Sequence, residues 1–265
     1  MDTTSEVPAG GAADARTARR RALVTGASSG IGAAATAALA ADGCDVWITY
    51  ARDETGASAA AEAARAHGAE AHVSRLDLGQ PRQIDALLAE VTAAWGELHV
   101  LVNNGGVCPY TPHDEISVEE WDAVLATNAR GTFLALRGAL PLLRAAAGDR
   151  SIVNVSSVAG ELGGVATSVH YAASKAAILA ITRSYARLLA GEGIRVNAVA
   201  PGPVRSGITD KLSATAEAGL TSGTPLGRFG QPHEVASAIA LLASPAAGFT
   251  TGATYDVNGG VRIDG

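Results

Sequence analysis

From about residue 20 onwards, short apolar runs alternate with stretches of helical period. Ala22–Val24, Asp45–Tyr50, Glu70–Leu76, His99–Asn103, Ser151–Val155, Arg195–Ala200 and Ala253–Val257 read as strands. Ile31–Asp42, Glu54–His67, Pro81–Trp95, Tyr171–Ala190 and Pro232–Ala243 read as helices, as does a long segment that carries Trp121 and Asn128. That segment opens on Ser117-Val118-Glu119-Glu120, a capping box. Pro81 falls in a first turn, where its missing N–H costs nothing. His99–Asn103 shows no polar alternation, as expected of a strand covered on both faces. Regular β-α alternation predicts a parallel sheet with helices on both sides. Right-handed crossovers then make it a doubly wound α/β fold of three layers, α/β/α, in a single domain over residues 19–265.

Residues 1–18 are small, polar and punctuated by Gly and Pro, which predicts a disordered tail. Arg19-Arg20-Arg21 reads as a solvated basic lead-in to the first strand, because Ala22-Leu23-Val24 stops at Thr25-Gly26 and is too short for a signal-peptide core. The segment from about Val204 to Leu226 is long and rich in Gly, Ser and Thr, and reads as a mobile lid.

Composition narrows the functional classes. Apolar residues make up 48% of the 265 and charged residues 17%, which excludes a disordered chain. The net charge of −6 argues against a nucleic-acid partner. No apolar run is long enough to span a bilayer, so no membrane role is expected. Cys44 and Cys108 make no disulfide framework and read as reduced thiols of a cytoplasmic protein. The six His lack ligand spacing, so no metal is expected. Only Lys175 and Lys211 among the 20 basic residues are Lys, so a Lys is more informative here than an Arg.

The first strand runs into Thr25-Gly26-Ala27-Ser28-Ser29-Gly30-Ile31-Gly32, followed by a helix. Gly26 permits the sharp turn, Gly30 the approach of a pyrophosphate, and Gly32 close packing of helix on strand. The helix start offers N–H groups and the positive end of its dipole to phosphate. Strand, glycine turn and helix in that order point to a dinucleotide. Tyr171 and Lys175 lie four apart, on one helix face. An ammonium beside a phenol favours the phenolate and tunes Tyr for proton exchange.

With Asp77, Asn103-Asn104-Gly105-Gly106, Asn128, Ser156-Ser157, Pro201-Gly202 and Asp256-Val257-Asn258-Gly259-Gly260, these motifs resemble the short-chain dehydrogenase/reductase family over residues 20–262. The resemblance implies a Rossmann fold and a catalytic group of Asn128, Ser157, Tyr171 and Lys175. Ser157 would bond the substrate oxygen, Lys175 the nicotinamide ribose, and Asn128 a water. Ser157 stands 14 positions before Tyr171, about one more than the family's spacing, and Ser156 would serve as a strand-end bond to backbone. The implied cofactor contacts are Gly26, Ser28, Ser29, Gly30, Ile31, Gly32, Tyr50, Arg52, Asp77, Leu78, Asn104, Gly105, Gly106, Tyr171, Lys175, Pro201, Gly202, Val204 and Ser206. Gly105 replaces the family's Ala, which implies a looser backbone beside the nucleotide. Ser206 replaces a Thr and keeps its hydroxyl. The pocket wall is assigned to Cys108, Val158, Gly160 and His170, the last either touching substrate or on the surface.

The second strand ends at Tyr50, with no acid at its tip, and Arg52 follows. An Arg fork suits a 2′-phosphate, so NADP(H) is favoured over NAD(H), unless Asp53 pairs with Arg52. The expected function is reduction of a ketone on a free small molecule, reversible as alcohol oxidation. The alternatives are 3-oxoacyl-carrier-protein reduction and a non-catalytic NADP-binding sensor or scaffold. Ala129–Ala147 and Ala172–Ala190 carry apolar residues on most sides, which with the resemblance implies a homotetramer.

Overall fold

The structure, a computed structural model, describes residues 19–164, 167–207 and 213–263. The proposed tail, residues 1–18, lies outside the described residues, as does part of the proposed lid. Seven parallel strands run in the order β3-β2-β1-β4-β5-β6-β7. They are β1 (Arg20–Val24), β2 (Cys44–Tyr50), β3 (Ala71–Arg75), β4 (Val100–Asn103), β5 (Arg150–Val155), β6 (Ile194–Pro201) and β7 (Thr254–Val257). The helices are α1 (Gly30–Ala41), α2 (Glu54–Arg65), α3 (Pro81–Ala94), α4 (Val118–Leu125), α5 (Gly131–Ala145), α6 (Ala159–Leu162), α7 (Val169–Leu189), α8 (Ala214–Ser222) and α9 (Pro232–Ala243).

Strand alternation divides the apolar side chains between two cores. Ala22, Val24, Val46, Ile48, Val100, Val102, Val153 and Val155 face α1, α2 and α9, in a core built of Ala and Val. Leu23, Trp47, Leu101, Ile152, Ile194 and Val196 face α3, α5 and α7, where Leu and Trp dominate. Both faces of the sheet are therefore dry, which is why these strands read as continuous apolar runs. Buried amides tie the sheet to the helix layer: Asn103 Nδ2 donates within the sheet to Asn154 Oδ1 at 2.9 Å, and Asn154 Nδ2 to Thr182 Oγ1 on α7 at 2.9 Å. Strand order reverses between β1 and β4, and the crevice above that point is where ligands of such sheets bind.

Four expectations change. The Arg triplet is not a solvated lead-in. Arg19 donates to the Ala40 and Cys44 carbonyls, Arg20 to Ala243 and Arg21 to Trp95, so the three bases fasten the lower rim of the sheet. The long helix after Ser117 is α4, a π-helical turn over Ala126–Arg130, and then α5. The proposed lid contains a helix, α8, capped where Ser213 Oγ accepts from Ala216 N–H. The short α6 follows the Ser156-Ser157 pair, a stretch with no predicted element.

Candidate active site

The chain leaves β1 through Thr25–Gly32 at the sheet's switch point. Gly26 holds φ +63°, and a Cβ there would stand 2.5 Å from Gly105 Cα. A Cβ on Gly32 would stand 2.5 Å from the Gly26 carbonyl, so bare glycine lets α1 close on the turn. Thr25 Oγ1 accepts from the backbone N–H groups of Asn104 and Gly105, both at 3.0 Å. Asn104 Nδ2 donates to the Thr25 and Gly26 carbonyls at 3.0 and 2.7 Å. Thr25, which motif reading missed, is thus the hinge pin between the two loops. Gly105 is correspondingly tight rather than loose: its own Cβ would meet Leu78 Cδ1 at 2.6 Å. Leu78 is buried beneath it as a packing residue.

This crevice fits a dinucleotide. Gly30, at φ +55°, faces open space in which Ser206 Cβ, at 3.7 Å, is the nearest atom to an added Cβ. Ser29 is the N-cap of α1 yet makes no side-chain capping bond. The first-turn N–H groups of α1, beside Ser28 and Ile31, therefore have no capping side chain and can bind phosphate. At the tip of β2, Arg52 is exposed and forms no ion pair among the described residues. Asp53 instead caps α2, accepting from Gly56 N–H at 2.9 Å, and leaves Arg52 for a ligand. Arg75 stands opposite Tyr50 in register and donates to the Ala51 carbonyl, adding a second cation that single-strand reading missed. Asp77 is exposed after β3, with Oδ1 accepting from Gly79 N–H at 2.8 Å. Pro201 and Gly202 close the far side. The Pro201 carbonyl accepts from Val158 N–H at 3.0 Å, and Gly202 packs on Asn258. Val204 is a core residue bridged to Gly230.

The two serines at the end of β5 separate cleanly. Ser156 Oγ donates to the Lys175 carbonyl at 2.9 Å and is structural. The Ser157 hydroxyl accepts from Ala159 N–H at 3.1 Å and stands near enough to the Tyr171 phenol to draw its pKa down. Burial is the larger effect: it raises Tyr171 above the ordinary tyrosine value, and a Cys108 thiolate would add to the rise. Lys175 is buried and held down to about 8, mainly by desolvation. Its Nζ donates to the Val155 carbonyl at 2.9 Å and lies 5.7 Å from the Tyr171 ring centroid. Burial therefore outweighs any lowering of the Tyr171 pKa by the Lys175 ammonium.

Asn128 sits fully buried in the π turn, with Oδ1 accepting from Val107 N–H at 2.8 Å. Its Nδ2 donates to the Val107 carbonyl at 2.9 Å and to Ser174 Oγ at 3.0 Å. The side chain is a clamp on the Val107 backbone. A Cβ on Gly106 would come 2.9 Å from Asn128 Oδ1 and 3.6 Å from Lys175 Nζ, which fixes glycine there. Cys108 is half-buried near Tyr110 and Tyr171, and burial pushes its thiol up to about 11. Gly160 packs against the backbone of α7. Its missing Cβ, which would stand 2.7 Å from the Lys175 carbonyl carbon, lets α6 lie against α7. His170 is on no surface: it is wholly buried. Among the described residues no group of His, Cys, Asp and Glu could hold a metal ion, and no helix is long and apolar enough to cross a membrane.

Residues 26–262 match a family model described as enoyl-(acyl carrier protein) reductase. The 3-oxoacyl-[acyl-carrier-protein] reductase FabG of Staphylococcus aureus is 39% identical over 245 residues, covering 92% of this chain and 98% of that protein. A blue fluorescent protein from a metagenomic library, solved in complex with NADPH, superposes with a TM-score of 0.85 at 32% identity, covering 92% of this chain and 98% of that one. A short-chain type dehydrogenase/reductase from Mycobacterium marinum gives a TM-score of 0.87 at 31% identity, covering 92% and 96%.

Proposed function

The chain belongs to the short-chain dehydrogenase/reductase family, and from that premise we propose that it is an NADPH-dependent ketoreductase acting on a free small carbonyl compound. The observation that carries this reading is buried Lys175, held on the Val155 carbonyl with its Nζ 5.7 Å from the Tyr171 ring, next to Ser157 at the end of β5. The reduced dinucleotide, when bound, supplies the hydride. Ser157 holds the carbonyl oxygen, and Tyr171, kept protonated by its burial, gives that oxygen its proton. Lys175 is placed to bind the ribose hydroxyls, and Asn128 keeps the neighbouring loop in register. The preference for NADPH rests on Arg52 just after β2, on Arg75 at the neighbouring end of β3, and on the absence of an acid at position 50. Arg52→Ala is expected to weaken NADPH about 10- to 100-fold, the loss of a charge-assisted contact, with NADH nearly unaffected. Equal weakening of both in a binding titration would contradict the assignment.

The names of its relatives favour a second reading, a 3-oxoacyl chain presented on carrier protein. Charge at the expected docking edge speaks for the free substrate. In the resembling carrier-protein reductases two bases face the acidic partner, and the matching positions here are Gly148 and Glu192. Glu192 also engages the bases nearby. It accepts a bidentate contact from Arg144 at 2.6 and 2.8 Å, and its carbonyl accepts from Arg150 at 2.9 Å. Comparing kcat/KM for one 3-oxoacyl chain on carrier protein and on a short thiol decides between them. Similar values are expected; a large, salt-sensitive advantage for the protein-bound chain would establish the second reading.

The homotetramer is part of the same proposal. Phe133 and Leu134 on α5 and Ile181 and Tyr185 on α7 stay only partly buried, and Leu188 is 70% exposed. Light scattering should give four copies at micromolar concentration, and a stable monomer would refute it. Two cysteines left as thiols suit a cytoplasmic setting.

A further inference from the structure

Three polar side chains in or at the ends of helical segments are turned toward a single loop. In the predicted capping box only half is made: Ser117 Oγ accepts from Glu120 N–H at 3.1 Å. The Glu120 carboxylate goes elsewhere, its Oε1 accepting from Thr111 Oγ1 at 2.6 Å and standing 3.5 Å from His170 Nε2. Ser168, the N-cap of α7, makes no side-chain capping bond and donates instead to the Pro109 carbonyl at 2.8 Å. Asn128 clamps the backbone of Val107 on both sides. The segment is therefore anchored at positions 107, 109 and 111. Between the anchors, the side chains of Cys108 and Tyr110 lie within reach of each other, and Cys108 within reach of Tyr171.

His170 links this bracket to the catalytic helix. It is wholly buried under Trp121, whose ring is stacked on it at 6.3 Å, and both ring nitrogens lack a hydrogen-bond partner. A buried imidazole left unpaired is costly, and the Glu120 carboxylate is poised to close on it. We propose that Glu120 and His170 are positioning residues. The carboxylate ties Thr111 to the residue preceding Tyr171, and holds Cys108 and Tyr110 as a fixed wall beside the phenol. This edge of the pocket is then not a gate; substrate shape is read against a rigid surface.

Only the kinetic part of the test rests on the ketoreductase reading. Iodoacetamide labelling of Cys108, followed by mass spectrometry with Cys108→Ser as the identity control, reports the bracket without any substrate; Cys44 is buried. Thr111→Val keeps the side chain's volume and removes the bond, and Glu120→Ala removes the acceptor. Both are expected to label about tenfold faster than wild type, the added opening from losing one charge-assisted hydrogen bond, while Thr111→Ser labels at the wild-type rate. In turnover, both should raise KM for the ketone with kcat and the KM for NADPH held. Wild-type labelling rates in Thr111→Val and Glu120→Ala, or Thr111→Ser labelling as fast as Thr111→Val, would overturn the proposal. So would a fall in kcat at unchanged KM. If no ketone is turned over, the labelling rates still decide.

Discussion

Tyr171→Phe is expected to lower kcat for ketone reduction by about 10²- to 10⁴-fold, the range that general acid catalysis supplies, while NADPH binds as before. The ring stays, so packing at the start of α7 is kept; only the hydroxyl beside Ser157 goes. Because burial holds the phenol above its ordinary pKa, wild type carries the proton that reduction needs at neutral pH. The reverse reaction needs the phenolate, so alcohol oxidation should rise with pH where reduction does not. Stopped-flow turnover and a fluorescence titration with NADPH separate the two roles. Activity in Tyr171→Phe close to wild type would remove Tyr171 from the chemistry.

The parts of the site legible in the sequence are those where local chemistry admits few residues. Gly26, Gly30 and Gly32 are needed for a positive φ or a close approach, and the structure uses each in that way. Tyr171 and Lys175 stand out by their helical spacing together with the family resemblance. Neighbouring serines are another matter. Spacing cannot choose between Ser156 and Ser157, because the choice depends on which side of the chain α7 packs. The structure turns Ser156 to the helix backbone and Ser157 to the phenol.

What escaped the sequence depends on partners far along the chain. Three consecutive bases look like a solvated run, yet Arg20 reaches a carbonyl 223 residues away. The π turn at Ala126–Arg130 keeps an ordinary helical pattern, since the extra residue shows only in its hydrogen-bond ladder. Helix α8 buries no residue among those it contains, so it lacks the apolar stripe that periodicity detects. Ser117, Glu120 and Ser168 all occupy favoured capping positions, but a nearby loop competes for two of the three side chains.

Lys175→Met should separate function from stability most sharply. It is expected to lower turnover by about 10²-fold or more, because the phenol loses its cationic neighbour and the ribose its partner. The ligand-free protein should nevertheless become more stable. Desolvation holds Lys175 at about 8, well below the ordinary lysine value, and at neutral pH keeping it charged in the interior costs about 3 kcal/mol. Met fills similar space and carries no charge. The bond to the Val155 carbonyl is lost, worth about 1 kcal/mol, so a net gain of about 2 kcal/mol remains. In a chain of this size that raises Tm by several degrees. The sign with pH is fixed. Between about 8 and the unfolded-chain value the unfolded protein binds the proton and the folded one does not, so wild-type stability from this group rises with pH across that window. The advantage of Lys175→Met is therefore largest below pH 8 and fades above it. Calorimetry at neutral and alkaline pH reads this directly. A lower Tm for the variant at neutral pH would mean that the buried ammonium stabilises the fold, and that its low pKa is not the cost of holding a cation ready for the cofactor.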